Sequence, residues 1–167
     1  MEKPQKTLVL GIGNILLTDE GLGVRAVEFF RANYSFPSYV RCIDGGTAGL
    51  GLLPAIKGFK RLIIVDAMRA RRGPGAILKF SWPIKGNGRL YAGTTAHSIG
   101  IPELLRVMDF EGLRPLSIIL GMVPRWIAPG STLSPEVMER LPMLAKRIAS
   151  ELKGFSIPVK KIRVCAG

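Results

Sequence analysis

Apolar and polar positions along this chain change rhythm repeatedly. Residues 7–11 form a short apolar run closed by Gly11, the length of a buried strand. Over residues 20–34 the rhythm differs: Val24, Val27, Phe30 and Tyr34 fall three or four apart, as one helical face requires. Thr18 is placed to cap that helix, with Asp19 and Glu20 in the first turn, where the helix dipole favours acids. A second strand is predicted over 39–43, ending at Asp44-Gly45-Gly46. A short helix follows over 50–56, weakened by Gly51 and Pro54. A third strand over 61–65 runs into Asp66, and a fourth spans 76–82. The next helix covers 98–110, with Ile101, Leu104, Leu105 and Met108 on its apolar face, and a fifth strand covers 116–122. Ser134-Pro135-Glu136 opens the last helix with a cap, a first-turn proline and an acid. Its stripe runs Val137, Leu141, Leu144, Ile148, Leu152. Pro142 lies inside that stripe and is expected to kink it. The end of the chain, from about residue 159 to 167, has strand-like Ile162 and Val164, with a loose tail as the other reading.

Strands alternating with helices predict an α/β fold. The expected architecture is a single domain over residues 1–167: a twisted, mostly parallel sheet of about five strands with helices on both faces. In such sheets ligands bind beyond the carboxyl ends of the strands. Glu20, Asp44, Asp66 and the loop carrying His97 all follow predicted strands, so residues distant in sequence are expected on one rim.

Composition narrows the class. The chain has 167 residues, 47% of them hydrophobic, enough for one domain with a substantial core. No apolar run reaches the 18 or so residues that span a bilayer. The Lys-rich, then apolar N-terminus is read as a first strand, since it runs through Gly11, Gly13 and Asn14 into Asp19 and Glu20 without a small-residue cleavage site. A cytoplasmic protein is therefore expected. Cys42 and Cys165 are far apart and neither belongs to a C-x-x-C pair, which excludes a cysteine zinc site. They are expected as reduced thiols. The formal net charge is +12, which draws a protein toward anionic partners. Basic residues are scattered, however, apart from Arg69-Arg71-Arg72 and Lys160-Lys161-Arg163, and no basic stretch carries flanking aromatics that would stack bases. The pattern does not favour nucleic acid as a partner.

The candidate chemistry centres on a single histidine, His97. One histidine cannot supply the paired imidazoles of a His-Glu-x-x-His zinc helix. A metal site in this chain must draw mostly on carboxylates, and Glu20, Asp66 and His97 form a mixed oxygen and nitrogen set. Such a set can hold a divalent transition metal and leave positions open. Gly11-Ile12-Gly13 after a strand also invites a dinucleotide reading. Leu16 stands where the third glycine would fall, and Asp44 lies beyond the usual spacing of about 20 residues, so the match is weak.

The segment Gly11-Ile12-Gly13-Asn14-Ile15-Leu16-Leu17-Thr18-Asp19-Glu20-Gly21 resembles the opening of the nickel–iron hydrogenase maturation endopeptidases. So do Asp44-Gly45-Gly46-Thr47-Ala48-Gly49, Asp66-Ala67, and His97 shortly before a Gly-Ile-Pro-Glu-Leu-Leu helix. The resemblance covers roughly residues 8–152. It implies an endopeptidase that removes the C-terminal extension of a hydrogenase large-subunit precursor after nickel insertion. It also implies that the metal-contacting positions are Glu20, Asp66 and His97, and that nickel is supplied by the precursor, with other divalent metals able to substitute. Asp44 is a further catalytic candidate, as a base or by orienting the substrate beside Gly45 and Gly46. The alternative is a nickel chaperone or checkpoint that binds the same precursor without cutting it. The Arg69-to-Arg72 insert is where this chain departs from the family pattern, and it is a candidate contact for an acidic part of the precursor.

Overall fold

The computed structural model describes residues 4–82 and 100–162. Its strands are β1 (Thr7–Ile12), β2 (Tyr34–Ser35), β3 (Val40–Gly46), β4 (Arg61–Ala67), β5 (Ile77–Trp82), β6 (Leu116–Met122) and β7 (Lys160–Lys161). Its helices are α1 (Leu22–Asn33), α2 (Leu53–Ile56), α3 (Ile101–Phe110) and α4 (Pro135–Gly154). The main sheet has five strands in the order β3-β1-β4-β6-β5. β3, β1, β4 and β6 run parallel, and β5 pairs antiparallel with β6. Residues 68–76, which join β4 to β5, are too few for the crossover of a dozen or more residues that a parallel return needs.

Helices cover both faces, as the alternation predicts. On one face α1 and α4 pack on Val9, Ile63, Val65, Ile118 and Leu120. On the other, α2 and α3 pack on Leu8, Leu10, Leu62, Ile64 and Ile119. Strands buried on both faces carry unbroken apolar runs, which is why Leu62 through Val65 are all fully buried. At Gly23 the start of α1 lies close against the sheet. A Cβ there would lie 2.2 Å from the Val65 carbonyl oxygen and 2.3 Å from that of Ile12. Only a glycine lets the start of α1 rest on the ends of β1 and β4.

Several elements depart from the sequence pattern. The helix expected from residue 20 begins at Leu22, because Thr18–Gly21 form a 3-10 turn. Thr18 is not a side-chain cap; its hydroxyl is engaged elsewhere in the fold. Ser134 precedes α4 but makes no capping hydrogen bond, since its hydroxyl donates to Asp19. α4 runs unbroken through Pro142. Pro142 is exposed, so water can serve the carbonyl that its ring leaves without a donor. The start of the final segment takes the strand-like reading: β7 pairs with β2 and Ile162 N–H donates to the Asn33 carbonyl at 2.8 Å. Residues 163–167 lie outside the described residues, and Cys165 with them. No helix among the described residues is long and apolar enough to cross a membrane.

Candidate active site

β1 delivers the chain to the carboxyl end of the sheet, and Gly13 turns it back. Gly13 has φ 135, and a Cβ on it would fall 1.8 Å from the Glu20 carbonyl oxygen. A glycine here lets the 3-10 turn lie directly on the strand end, which sets Glu20 at the rim with 8% of its surface exposed. Two strands of the parallel core meet beside it, β1 and β4, and Asp66 is the penultimate residue of β4. The pleat turns Asp66 to the same side as Leu62 and Ile64, the layer of α2 and α3.

Glu20 bears on the ionisation of Asp66. Burial pushes the Asp66 carboxyl up from its ordinary 3.8 to about 8. A 2.8 Å hydrogen bond from the Ala67 N–H works against that rise, and the charge of Glu20 adds to it. A carboxyl so placed keeps its proton at neutral pH. Among the described residues no three His, Cys, Asp or Glu side chains gather closely enough to hold a metal. His97, the third expected ligand, lies outside the described residues.

Asp19 is the site feature that the sequence pattern does not reveal. It is fully buried and has four donors. Arg125 N–H donates to it at 2.8 Å and Trp126 N–H at 3.3 Å. Ser134 donates its N–H at 2.6 Å and its hydroxyl at 2.7 Å. The loop after β6 is thereby fastened to the residue next to Glu20. The sequence showed only an acid in a first turn. A partner more than a hundred positions away leaves no periodic signal.

Asp44 is placed differently. It pairs with Gly11 in register, and its Oδ1 accepts the Gly46 N–H at 2.8 Å. On β3 it shares a face with Cys42, which packs against the α1 and α4 layer, so it leaves the sheet on the side opposite Asp66. Cys42 itself is a free thiol, pushed up to about 12 by burial despite the opposing charge of Arg31. Beyond Asp66 the chain borders a cavity of about 560 Å³ lined by Met68, Arg69, Ala70, Arg71, Leu78 and Phe80. Two arginines of the basic insert thus stand beside the rim.

The family model for hydrogenase maturation proteases matches residues 24–151. The chain belongs to the hydrogenase maturation protease family. Among relatives, the hydrogenase 2 maturation protease of Escherichia coli K12 is 32% identical, covering 89% of this chain and 91% of its own length. The hydrogenase expression/formation protein HupD of Rhodobacter capsulatus is also 32% identical, over 95% of this chain and 77% of that protein. Among solved structures, the hydrogenase maturating endopeptidase HybD of E. coli superposes with a TM-score of 0.80 at 30% identity, covering 93% of this chain and 97% of that one. A hydrogenase 2 maturation peptidase from a Thaumarchaeota archaeon gives 0.68 at 27% identity, covering 89% and 99%. The mostly parallel sheet with helices on both faces is thus the fold of this maturation protease family, and the family's activity is that of an endopeptidase.

Proposed function

We propose that this protease removes the C-terminal extension of a nickel–iron hydrogenase large-subunit precursor after nickel insertion, in the cytoplasm. In this reading it recognises the precursor's nickel through Glu20, Asp66 and His97. The observation that carries the reading is the Glu20 and Asp66 pair at the carboxyl end of the sheet: Glu20 is buried, and Asp66, half-buried, is held protonated by its surroundings. Such a pair gains most from an incoming cation, which replaces the proton and relieves the repulsion between the acids. Other divalent ions fit the same donors.

In the substrate, nickel supplies Lewis-acid polarisation near the scissile carbonyl and marks the precursor as loaded. Water is consumed as the peptide bond breaks, and the chain's own residues bind and position the substrate. Glu20, Asp66 and His97 would hold the metal of the loaded precursor, and Asp66 would give up its carboxyl proton to solvent as it docks. Glu20 is held at the rim by the packing of its backbone on Gly13 and by the clasp of its neighbour Asp19. Asp44 holds the Gly45 and Gly46 turn through the Gly46 N–H, which lets the precursor backbone come close to β1 and β3. Its facing away from Asp66 favours a role in orienting the substrate over one as a base at the metal.

The test is the mass of a purified cognate precursor after incubation with the protease, with and without nickel loading. Loss of a short C-terminal peptide from the loaded form alone is expected. Binding of the loaded form without loss of mass would instead establish a non-cleaving checkpoint.

A further inference from the structure

Beside Glu20, two loops are joined into a short rim. Leu17 forms a parallel bridge with Gly130. Thr18 N–H donates to the Gly130 carbonyl at 2.7 Å, and Gly130 N–H to the Leu16 carbonyl at 2.9 Å. The Thr18 hydroxyl donates to the Trp126 carbonyl at 3.2 Å and accepts the Ala128 N–H at 3.1 Å. Beneath them, Asp19 takes the N–H groups of Arg125 and Trp126. Thr18 sits at φ 45, a conformation that β-branched residues rarely adopt and that the surrounding bonds must enforce.

This braced frame holds large apolar side chains in solvent. Leu16 is 66% exposed, Trp126 47% and Ile15 36%. A loose loop would turn such residues inward, but the bonds on both sides fix the backbone that carries them. Exposed apolar side chains gathered on a rigid frame mark an interaction surface, and tryptophan is among the residues that dominate such surfaces. The frame offers no strong charge of its own. Asp19 is buried, and the Arg125 side chain lies 3.5 Å from Glu136.

We infer that Ile15, Leu16 and Trp126 form a docking surface for an apolar segment of the precursor polypeptide, next to the bond that is cut. The inference rests on the endopeptidase reading. A polypeptide reaching Glu20 and Asp66 at the carboxyl end of the sheet passes this rim, because Leu16 and Glu20 belong to one short loop and Trp126 is fastened to the same loop. A second copy of the chain seated there would cover the site instead of serving it.

The test compares the wild-type chain with Leu16→Ser, Trp126→Ser and the double variant on the nickel-loaded cognate precursor, with initial cleavage rates taken across precursor concentration. Each side chain is exposed, so melting midpoints should match wild type. Burying one such side chain at an interface corresponds to roughly a tenfold or larger change in affinity. A KM raised about tenfold in each single variant, with kcat nearly unchanged, is the signature of lost substrate binding and is the expected result. Wild-type KM in the double variant would overturn the inference while leaving the endopeptidase reading intact. A dimer that falls apart in the double variant, again with unchanged KM, would overturn it in favour of self-association. Failure of the wild-type chain to cleave any loaded precursor would remove the endopeptidase reading and this inference together.

Discussion

Ser134 gives both its backbone N–H and its hydroxyl to Asp19, at 2.6 and 2.7 Å, across 115 positions of the chain. With the N–H groups of Arg125 and Trp126, this makes Asp19 the knot between the loop after β1 and the loop before α4. Replacing it with alanine leaves buried donors without an acceptor, each costing about 1–3 kcal/mol. Asp19→Ala is expected to lower unfolding free energy by about 3 kcal/mol or more. That corresponds to a fall of roughly 6–12 °C in melting midpoint for a chain of this size, read by calorimetry. An unchanged midpoint would show that the clasp is dispensable.

The Glu20 and Asp66 pair gives the metal-free protein a definite pH dependence. In the unfolded chain Asp66 titrates at its ordinary 3.8, and in the folded protein at about 8. Below pH about 4 both states hold the proton, and the site does not oppose folding. Between about 4 and 8 the unfolded chain ionises while the folded one keeps its proton, so this group's contribution to stability falls as pH rises. Above about 8 that slope vanishes. Urea unfolding across this range should show the decline in wild type and lose that component in Asp66→Asn. Glu20→Gln should bring the Asp66 carboxyl down, because it removes a repelling charge.

Loss of either expected ligand should abolish processing. Glu20→Gln or His97→Ala is expected to slow precursor cleavage by about 100-fold or more, since even outer partners of metal ligands are typically worth 10–100-fold. Mass spectrometry of the processed precursor measures this directly. Normal rates in both variants would mean that the metal is read by other residues.

The contact at Gly23 makes a sharper structural prediction. A methyl group there meets two main-chain carbonyls at 2.2 and 2.3 Å, and main-chain atoms cannot swing aside as side chains do. Gly23→Ala should cost about 3 kcal/mol, at the upper end of overpacking effects. By tilting the start of α1 it should also displace Glu20. Wild-type urea stability in this variant would show that α1 can settle elsewhere.

Arg69 and Arg71 border the cavity beyond Asp66. If they engage an acidic part of the precursor, reversing both to glutamate should weaken precursor binding, more at low salt than at high. Titration of labelled precursor at two salt concentrations separates this from a purely solvated loop, which would show no change.

Which of these features the sequence carried follows from their range. The main strands and helices were legible because each depends on local period: the Leu62-to-Val65 run, the Val24, Val27 and Phe30 stripe, and the Ser134-Pro135 helix start; Tyr34, expected on that stripe, lies instead in the short strand β2, whose partner β7 is far along the chain. The parallel core and the helices on both faces followed from alternation. The antiparallel return of β5 was implicit only in the shortness of residues 68–76. The rim shared by Glu20 and Asp66 was legible from their places after strands. Ser134 and Asp19 do stand at helix or turn starts, but the side-chain partners of Thr18, Asp19 and Ser134 were missed, because they lie in another loop and local rules assign polar side chains to the nearest backbone. The pleat that turns Asp44 away from Asp66 was equally out of reach, since it depends on the register between β1 and β3.

The Asp19 clasp also bears on when the site is completed during synthesis. Glu20 and Asp66 are both made in the first half of the chain, and β1 can pair with β4 as soon as the latter emerges. The donors that fasten the Glu20 loop come only with Arg125, Trp126 and Ser134. A nascent chain that stops short of Ser134 carries both acids without the clasp that aligns one of them. The loop that carries Arg125, Trp126 and Ser134 is thus what fixes the Glu20 loop in place.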